Sequence, residues 1–120
     1  MNKLQTTKYN LEDRTLEFAK AVIRLCSKLP KNAVSINSIS QIIRSSSSVG
    51  ANYREANDSL GKKDFIHRLR ISRKEAKETL YWIHLLKEAN PNIDLSLIEK
   101  ECTELRNILS AIIIKVSNKV

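Results

Sequence analysis

The sequence predicts an all-α protein, an antiparallel up-and-down four-helix bundle. Only two Gly and two Pro interrupt its 120 residues, which favours long elements and few turns. Apolar residues recur at intervals of three and four in four separate segments, the period of an amphipathic helix. Connections of about four to eight residues between those segments favour antiparallel neighbours. A chain of this length predicts one domain, covering residues 1–120.

The first helix is predicted over residues 11–29. Its apolar stripe consists of Phe18, Val22, Leu25 and Leu29. Asn10, followed three residues later by Asp13, has the spacing of a helix N-cap. Pro30 disfavours the helical conformation at the residue before it and is expected to end the helix.

The second helix is predicted over residues 38–60. Ser38 and Gln41 have the spacing of a capping box, and Gly61 is expected at the C′ position. Four serines at residues 45–48 have poor helix propensity and, read alone, suit a loop. The apolar period continues in phase across them, from Ile39 to Leu60, which favours a helix.

The third helix is predicted over residues 63–89 and is stopped by Asn90 and Pro91. The fourth is predicted over residues 96–118, with Ser96 and Glu99 in capping-box positions. Its apolar residues follow a heptad: Ile98, Cys102, Leu105, Leu109, Ile112 and Val116.

The last two helices carry more apolar residues than one small bundle needs to bury. A helix that is apolar on two faces is either central or lies at a subunit interface. The surplus predicts a homo-oligomer whose interface contains Ile71, Trp82, Leu86, Ile108, Ile113 and Ile114.

Positive charge is concentrated on the third helix. The chain carries a net charge of +8, and residues 62–77 hold seven Lys or Arg against two acids. Six residues recur at intervals of 4, 3, 4, 3 and 4 and so share one face, the basic stripe: Lys63, His67, Arg70, Lys74, Lys77 and Tyr81. Such a stripe favours binding of nucleic acid, most simply RNA, through phosphates. A scaffold that docks an acidic protein partner, or a merely solvated face, fits the same pattern.

The sequence contains no motif of a known catalytic or metal site. It lacks a phosphate-binding Gly loop, a Cys-x-x-Cys pair and a nucleophile elbow. His67 and His84 are too far apart to ligate one metal as i, i+4 neighbours do. We therefore expect no enzymatic activity, no metal and no cofactor.

Cysteine usage and hydropathy point to the cytoplasm. Cys26 and Cys102 lack motif spacing and suggest buried, reduced thiols rather than a disulfide or redox pair. No run approaches the ~18 apolar residues of a membrane span. Residues 1–10 are polar, unlike a secretory signal.

A row of polar residues follows the second and third helices. It contains Gln41, Arg44, Ser48, Asn52, Glu55, Glu75 and Glu78. A ligand site is one interpretation. We favour an interhelical hydrogen-bond network that fixes helix register, because buried charges persist when they are paired.

Two segments, in this order and separation, resemble a known family. Residues 38–56 read SISQIIRSSSSVGANYREA; residues 64–65 and 74–82 follow as DF and KEAKETLYW. These segments resemble the signature of four-helix-bundle proteins encoded by intervening sequences in bacterial 23S ribosomal RNA genes. The likeness extends over about residues 11–114.

The resemblance implies a small bundle without known enzymatic activity. It also implies assembly into closed rings of five, and it relates the chain to the basic accessory variability proteins of diversity-generating retroelements. The polar row matches the family's polar positions. Many members have Ile-Ala-Glu-Gly where this chain has Tyr53 to Ala56. Without that Gly, the second helix is expected to continue to Leu60.

Overall fold

The computed structural model describes residues 10–118, which form four helices and no strand. These are α1 (Leu11–Cys26), α2 (Ile36–Asn57), α3 (Lys62–Ala89) and α4 (Ser96–Ser117). Each helix packs against the next in the chain, and α1 also contacts α4. The predicted all-α class with four helices is confirmed.

The core is a single cluster to which all four helices contribute. The apolar stripes predicted from the 3.6-residue period supply it: Phe18, Val22, Ile39, Ile42, Leu69, Leu80, Cys102, Leu105 and Leu109 are all buried. Burial of such side chains is the main favourable term in folding. Cys26 and Cys102 are both buried and unbridged. None of the described helices is long and apolar enough to span a membrane.

Helix α1 begins as predicted and ends three residues early. The Asn10 side chain accepts hydrogen bonds from the backbone N–H groups of Glu12 (3.0 Å) and Asp13 (3.3 Å), as an N-cap does. The helix ends at Cys26 rather than Leu29. Tighter i to i+3 bonds follow, and they still place the Leu29 side chain in the core.

The predicted capping box of α2 is wrong. The helix begins at Ile36, two residues before Ser38, and the Ser35 side chain makes no capping bond. Asn32 organises the preceding turn instead, because its side-chain oxygen accepts the N–H groups of Val34 and Ser35 at 3.0 Å each. Ser38 lies within the first turn of the helix and is buried.

The expected extension of α2 to Leu60 is also wrong. The helix ends at Asn57, and the Asp58 and Ser59 N–H groups bond to carbonyls three to four residues back. Leu60 projects into solvent with 99 % of its surface exposed. Gly61 has an extended backbone (φ 174°, ψ 175°), so it is not a left-handed C′ residue. It is the N-cap of α3, and its carbonyl accepts the Phe65 N–H.

Helix α4 begins at Ser96 as predicted, but without the predicted capping box. Leu95 occupies the N-cap position, and the Asp94 side chain accepts the Ser96 N–H at 2.9 Å. A hydrogen bond from the Ser96 side chain, followed by this backbone bond, lowers the pKa of Asp94. The Glu99 carboxylate does not reach back to the helix start; His84 and Lys87 of α3 bind it instead.

Small residues bring α2 close to both of its neighbours. Buried Ser72 donates to the Val49 carbonyl at 2.7 Å, and the Thr79 and Ser45 hydroxyls lie 2.8 Å apart. On the other side, a Cβ built on Gly50 would lie 2.8 Å from the Thr15 hydroxyl oxygen. The serine run is part of α2. Its short side chains allow the helix to approach its neighbours closely.

Candidate nucleic-acid interface

The basic stripe lies along the outer face of α3. All six of its residues are exposed, and the core-facing residues Leu69, Ala76 and Ile83 occupy the opposite side of the helix. Within residues 10–118, no hydrogen bond or ion pair engages the side chains of Lys63, Arg70, Lys74 or Lys77. The Glu78 carboxylate attracts Lys74 electrostatically without forming an ion pair with it, and the other three charges are available to an external anion.

Tyr81 closes one end of the basic stripe with an aromatic ring. Its surface is 57 % exposed, and its ring meets Trp82 edge to face, with centroids 5.1 Å apart and planes at 77°. This contact contributes to holding the ring in place. An exposed aromatic ring beside cations provides a stacking surface for an unpaired base.

At the contact between α1 and α4, a cation is neutralised within the protein. Arg14 of α1 donates to Glu101 of α4 at 2.8 and 2.9 Å and to Glu104 at 2.8 Å. The Glu101 hydrogen bond is the main cause of a raised Arg14 pKa. This triad was not predictable from the sequence, because the spacing of Glu101 and Glu104 predicts a shared face but not the partner across it.

The Arg44 network joins α2 and α3. Arg44 donates to Gln41 (3.1 Å), to Glu75 (3.2 Å) and to Glu78, which also accepts the Trp82 indole N–H at 2.9 Å. The Trp82 bond, followed by the Arg44 bond, lowers the Glu78 pKa, and Glu78 in turn raises the Arg44 pKa.

The rest of the predicted polar row is less connected. Among residues 10–118, the side chains of Ser48 and Asn52 bond only to carbonyls of their own helix. Glu55 is exposed at the other end of α2, and its side chain has no hydrogen bond or ion pair to any residue between 10 and 118, so it does not join the predicted interhelical network. The Arg44 side chain is itself 46 % exposed, and the network borders solvent rather than lying in the core.

The predicted interface residues divide by burial. Leu86 and Ile113 are core residues, so the expectation that they add apolar surface is wrong for both. They face inward because each continues the core stripe of its helix. Trp82 and Ile108 are half-buried against the core, and Ile71 is half-buried. Ile114 is 59 % exposed.

One apolar cleft of about 490 Å³ lies between α1 and α4. Phe18, Ala21, Leu97 and Ile98 line it, and Arg14 and Glu101 at its edge satisfy each other. Glu17, the remaining charged lining residue, pairs with Lys20 at 3.4 Å, so among the described residues no charged group lining the cleft is left unpaired to orient a ligand. No group of three potential metal-ligating side chains occurs among the described residues.

These features define a class: a small all-α protein with a basic face built on one long helix. The chain belongs to the 23S rRNA-intervening sequence protein family, whose profile matches residues 7–111. It is also similar to the crystal structure of a protein of unknown function from the S23 ribosomal protein family of Bacteroides thetaiotaomicron VPI-5482. The two are 36 % identical, with a TM-score of 0.79, over 87 % of this chain and 98 % of the other. No curated protein matches the chain.

Proposed function

We propose that the protein is a non-enzymatic, cytoplasmic nucleic-acid-binding protein that holds structured RNA by its phosphates through the basic stripe. The observation that carries the proposal is the combination of exposure and missing partners along this face. Some exposed cations elsewhere, such as Arg44 and Lys87, are tied to carboxylates. Those of the stripe remain free to release counterions when they meet a phosphate backbone.

The geometry favours shape and phosphate recognition over base readout. Lys63, Arg70, Lys74 and Lys77 extend over about four turns, or roughly 20 Å at 1.5 Å per residue. That length matches several consecutive phosphates of one strand. Only Tyr81 adds a stacking group, so sequence selectivity should be weak.

Assembly strengthens this proposal. We expect neighbouring helices to run antiparallel. Two hydrogen bonds support this for α2 and α3: Ser45 contacts Thr79, whereas Val49, later in α2, contacts Ser72, earlier in α3.

We further propose that copies associate into a ring, for which the family resemblance favours five. The proposed interface contains Ile71, Trp82, Ile108 and Ile114. Several stripes on one assembly would raise avidity without any new contact.

The test is RNA affinity measured by fluorescence anisotropy over a salt series starting near 50 mM, where phosphate contacts are strongest. Changing Arg70, Lys74 and Lys77 together to Gln should flatten the slope of log affinity against log salt by about two to three units per bound copy. The matched control changes Lys28, Lys31 and Lys100 to Gln. These three are also exposed, and they lie off the stripe.

The proposal predicts a wild-type slope for the control and weaker binding of all RNA sequences by the stripe variant. If the stripe variant and the control had the same slope of log affinity against log salt, the stripe would be a solvated face that does not bind RNA. Absence of RNA binding by the wild type at ~50 mM salt would instead favour the scaffold that docks an acidic protein.

A further inference from the structure

The line where α3 and α4 face each other, the α3–α4 seam, contains two half-buried arginines, Arg73 and Arg106. Neither forms an ion pair with any residue between 10 and 118. Arg106 donates only to Asn107 of its own helix, at 3.2 and 3.1 Å. That amide oxygen is neutral, so it does not compensate the charge.

Every other pair of packed helices has an arginine or lysine tied to a carboxylate of the facing helix. Arg54 of α2 pairs with Glu12 of α1, Arg44 of α2 with Glu75 of α3, and Arg14 of α1 with Glu101 of α4. The α3–α4 seam follows this rule near one end only, where Glu99 binds His84 and Lys87. Further along the seam, no carboxylate of the described residues forms an ion pair with Arg73 or Arg106.

Hydrogen bonds across the seam place the two arginines at one level. The Cys102 thiol of α4 donates to the Ala76 carbonyl of α3 at 3.3 Å. The contact between Glu99 and His84 is followed by the contact between Cys102, later in α4, and Ala76, earlier in α3. One helical turn beyond the second contact, in the same antiparallel order, α4 reaches Arg106 and α3 reaches Arg73.

Both arginines lie on the sides of their helices that face the seam. Arg73 precedes His84 by 11 residues, close to three turns, and Arg106 follows Glu99 by seven, close to two turns. Burial raises the pKa of the Cys102 thiol to about 12, and the Arg106 charge opposes that rise, as a cation close to Cys102 must.

Arg73 also connects this cluster to the basic stripe. Arg70 precedes it by three residues and Lys77 follows it by four, so the three are neighbours on the surface of α3. Four cations without a carboxylate repel one another until an anion enters. A guanidinium presents its N–H donors as a fork that matches two oxygens of one phosphate.

We infer that the α3–α4 seam is a phosphate-binding site in which Arg73 and Arg106 grip one backbone phosphate of the nucleic acid while Arg70 and Lys77 hold its neighbours. The inference rests on the proposed function and extends its surface from one helix to two. It assigns binding roles to Arg73 and Arg106, which the sequence pattern of α3 alone did not single out. Nucleic acid would then cross the seam obliquely instead of following α3 only.

The first test measures RNA affinity against salt for the double variant Arg73→Gln/Arg106→Gln. Loss of two phosphate contacts should make the slope shallower by about 1.4 to 1.8 units. The control Lys100→Gln/Lys115→Gln removes the same charge from exposed positions of α4 and should keep the wild-type slope. Arg73→Lys/Arg106→Lys should keep the slope but bind more weakly at each salt concentration, because Lys lacks the fork.

The second test uses inorganic tripolyphosphate and does not depend on RNA. It should raise the melting temperature of the wild type and the control, and it should raise that of the Gln double variant less, because only the stripe cations remain to bind it. Without anion the double variant should melt no lower than the wild type, since removing like charges relieves repulsion.

A Gln double variant that keeps the control's RNA slope and is protected equally by tripolyphosphate would overturn the seam site while leaving the stripe proposal intact. A wild type that binds no RNA would overturn the stripe proposal. The tripolyphosphate result would then still decide whether the seam binds phosphate.

Discussion

A close approach of α1 and α2 depends on Gly50. A Cβ there would meet the Thr15 side chain at 2.8 Å (Oγ1) and 3.0 Å (Cβ). Thr15 has little freedom to move, because it is buried and β-branched, and its hydroxyl bonds to the Leu11 carbonyl at 2.7 Å. The glycine at this position therefore sets the distance between two helices.

Gly50→Ala should destabilise the protein by up to about 2 kcal/mol, because overpacking costs about 1–3 kcal/mol and helix propensity returns only roughly 1 kcal/mol. Urea unfolding would measure it. Gly61→Ala is the matched control: nothing lies within 4 Å of its Cβ, so its effect should stay below about 0.5 kcal/mol. Thr15→Ala in the Gly50→Ala background should recover part of the loss, and additive losses would contradict the proposed contact.

Glu78 is a titratable residue whose carboxylate accepts a hydrogen bond from the only tryptophan of the chain, Trp82. Its pKa is below the ordinary value of 4.5, chiefly because the carboxylate accepts the Trp82 N–H. A carboxylate whose folded-state pKa is depressed contributes stability above the unfolded-state value and loses it as the pH falls through the folded-state value. The two bonds to Glu78 should therefore survive at neutral pH and break only in acid.

Trp82 fluorescence should report this protonation directly. We expect a transition with a midpoint below pH 4.5 while helical circular dichroism is still native. Glu78→Gln should abolish the transition, and Glu88→Gln, a change at an exposed position of the same helix, should leave it in place. A midpoint at or above 4.5 would show that the carboxylate gains nothing from its partners.

Among the elements, the helices were predictable, but their ends and caps were predictable only in part. Apolar periodicity predicted all four, since burial of one face dominates the energetics of a bundle. The capping signals were reliable only at Asn10. At Ser38 and Ser96 the predicted caps lie inside the helix, and Asn32 and Asp94 in the preceding turns accept the N–H groups instead. Several polar residues near a helix start compete for one role, and local spacing does not rank them.

The contact between α2 and α3 should tolerate loss of the Arg44 network. A fully buried charge left without its partner would cost about 3–5 kcal/mol. Arg44 is 46 % exposed, however, and water reaches Glu78. Arg44→Met should therefore cost about 1 kcal/mol or less. Ser72→Val, which removes the buried bond to the Val49 carbonyl between the same helices, is the comparison and should cost more. The reverse order in thermal unfolding would place the network, not the small-residue contact, at the centre of the α2–α3 interface.

At the scale of the whole molecule, charge and shape together indicate what the protein presents to partners. The stripe could be predicted from spacing because one helix contains it entirely. The sequence alone could not predict that Arg73 and Arg106 lie on the same seam, because this depends on the register of α3 against α4. The same limit applies to Arg14 with Glu101. Contacts within a helix follow from its period, whereas contacts between helices require the packed structure.

The outline of the molecule exposes more surface than a sphere-like domain of this size. The Cα trace measures 50 × 34 × 19 Å, and its radius of gyration of 15.3 Å exceeds the roughly 13–14 Å expected for 120 residues. A thin, elongated bundle covers its apolar residues less completely, which is consistent with exposure of Ile114 and Leu85. Self-association would bury such residues without changing the helices.

We therefore predict that Ile114→Glu reduces the mass of the protein in solution while its helicity is retained. Light scattering of the wild type should give a mass well above the 13.7 kDa of one chain, and the variant should approach that value. Ile114 is a better site for this test than Ile108, because a charge at half-buried Ile108 would also disturb the core. Leu60→Glu is the matched control: it adds the same charge at a fully solvated leucine outside the proposed interface and should leave the mass unchanged. A wild type that remains at 13.7 kDa across micromolar concentrations would mean that this apolar face serves no assembly.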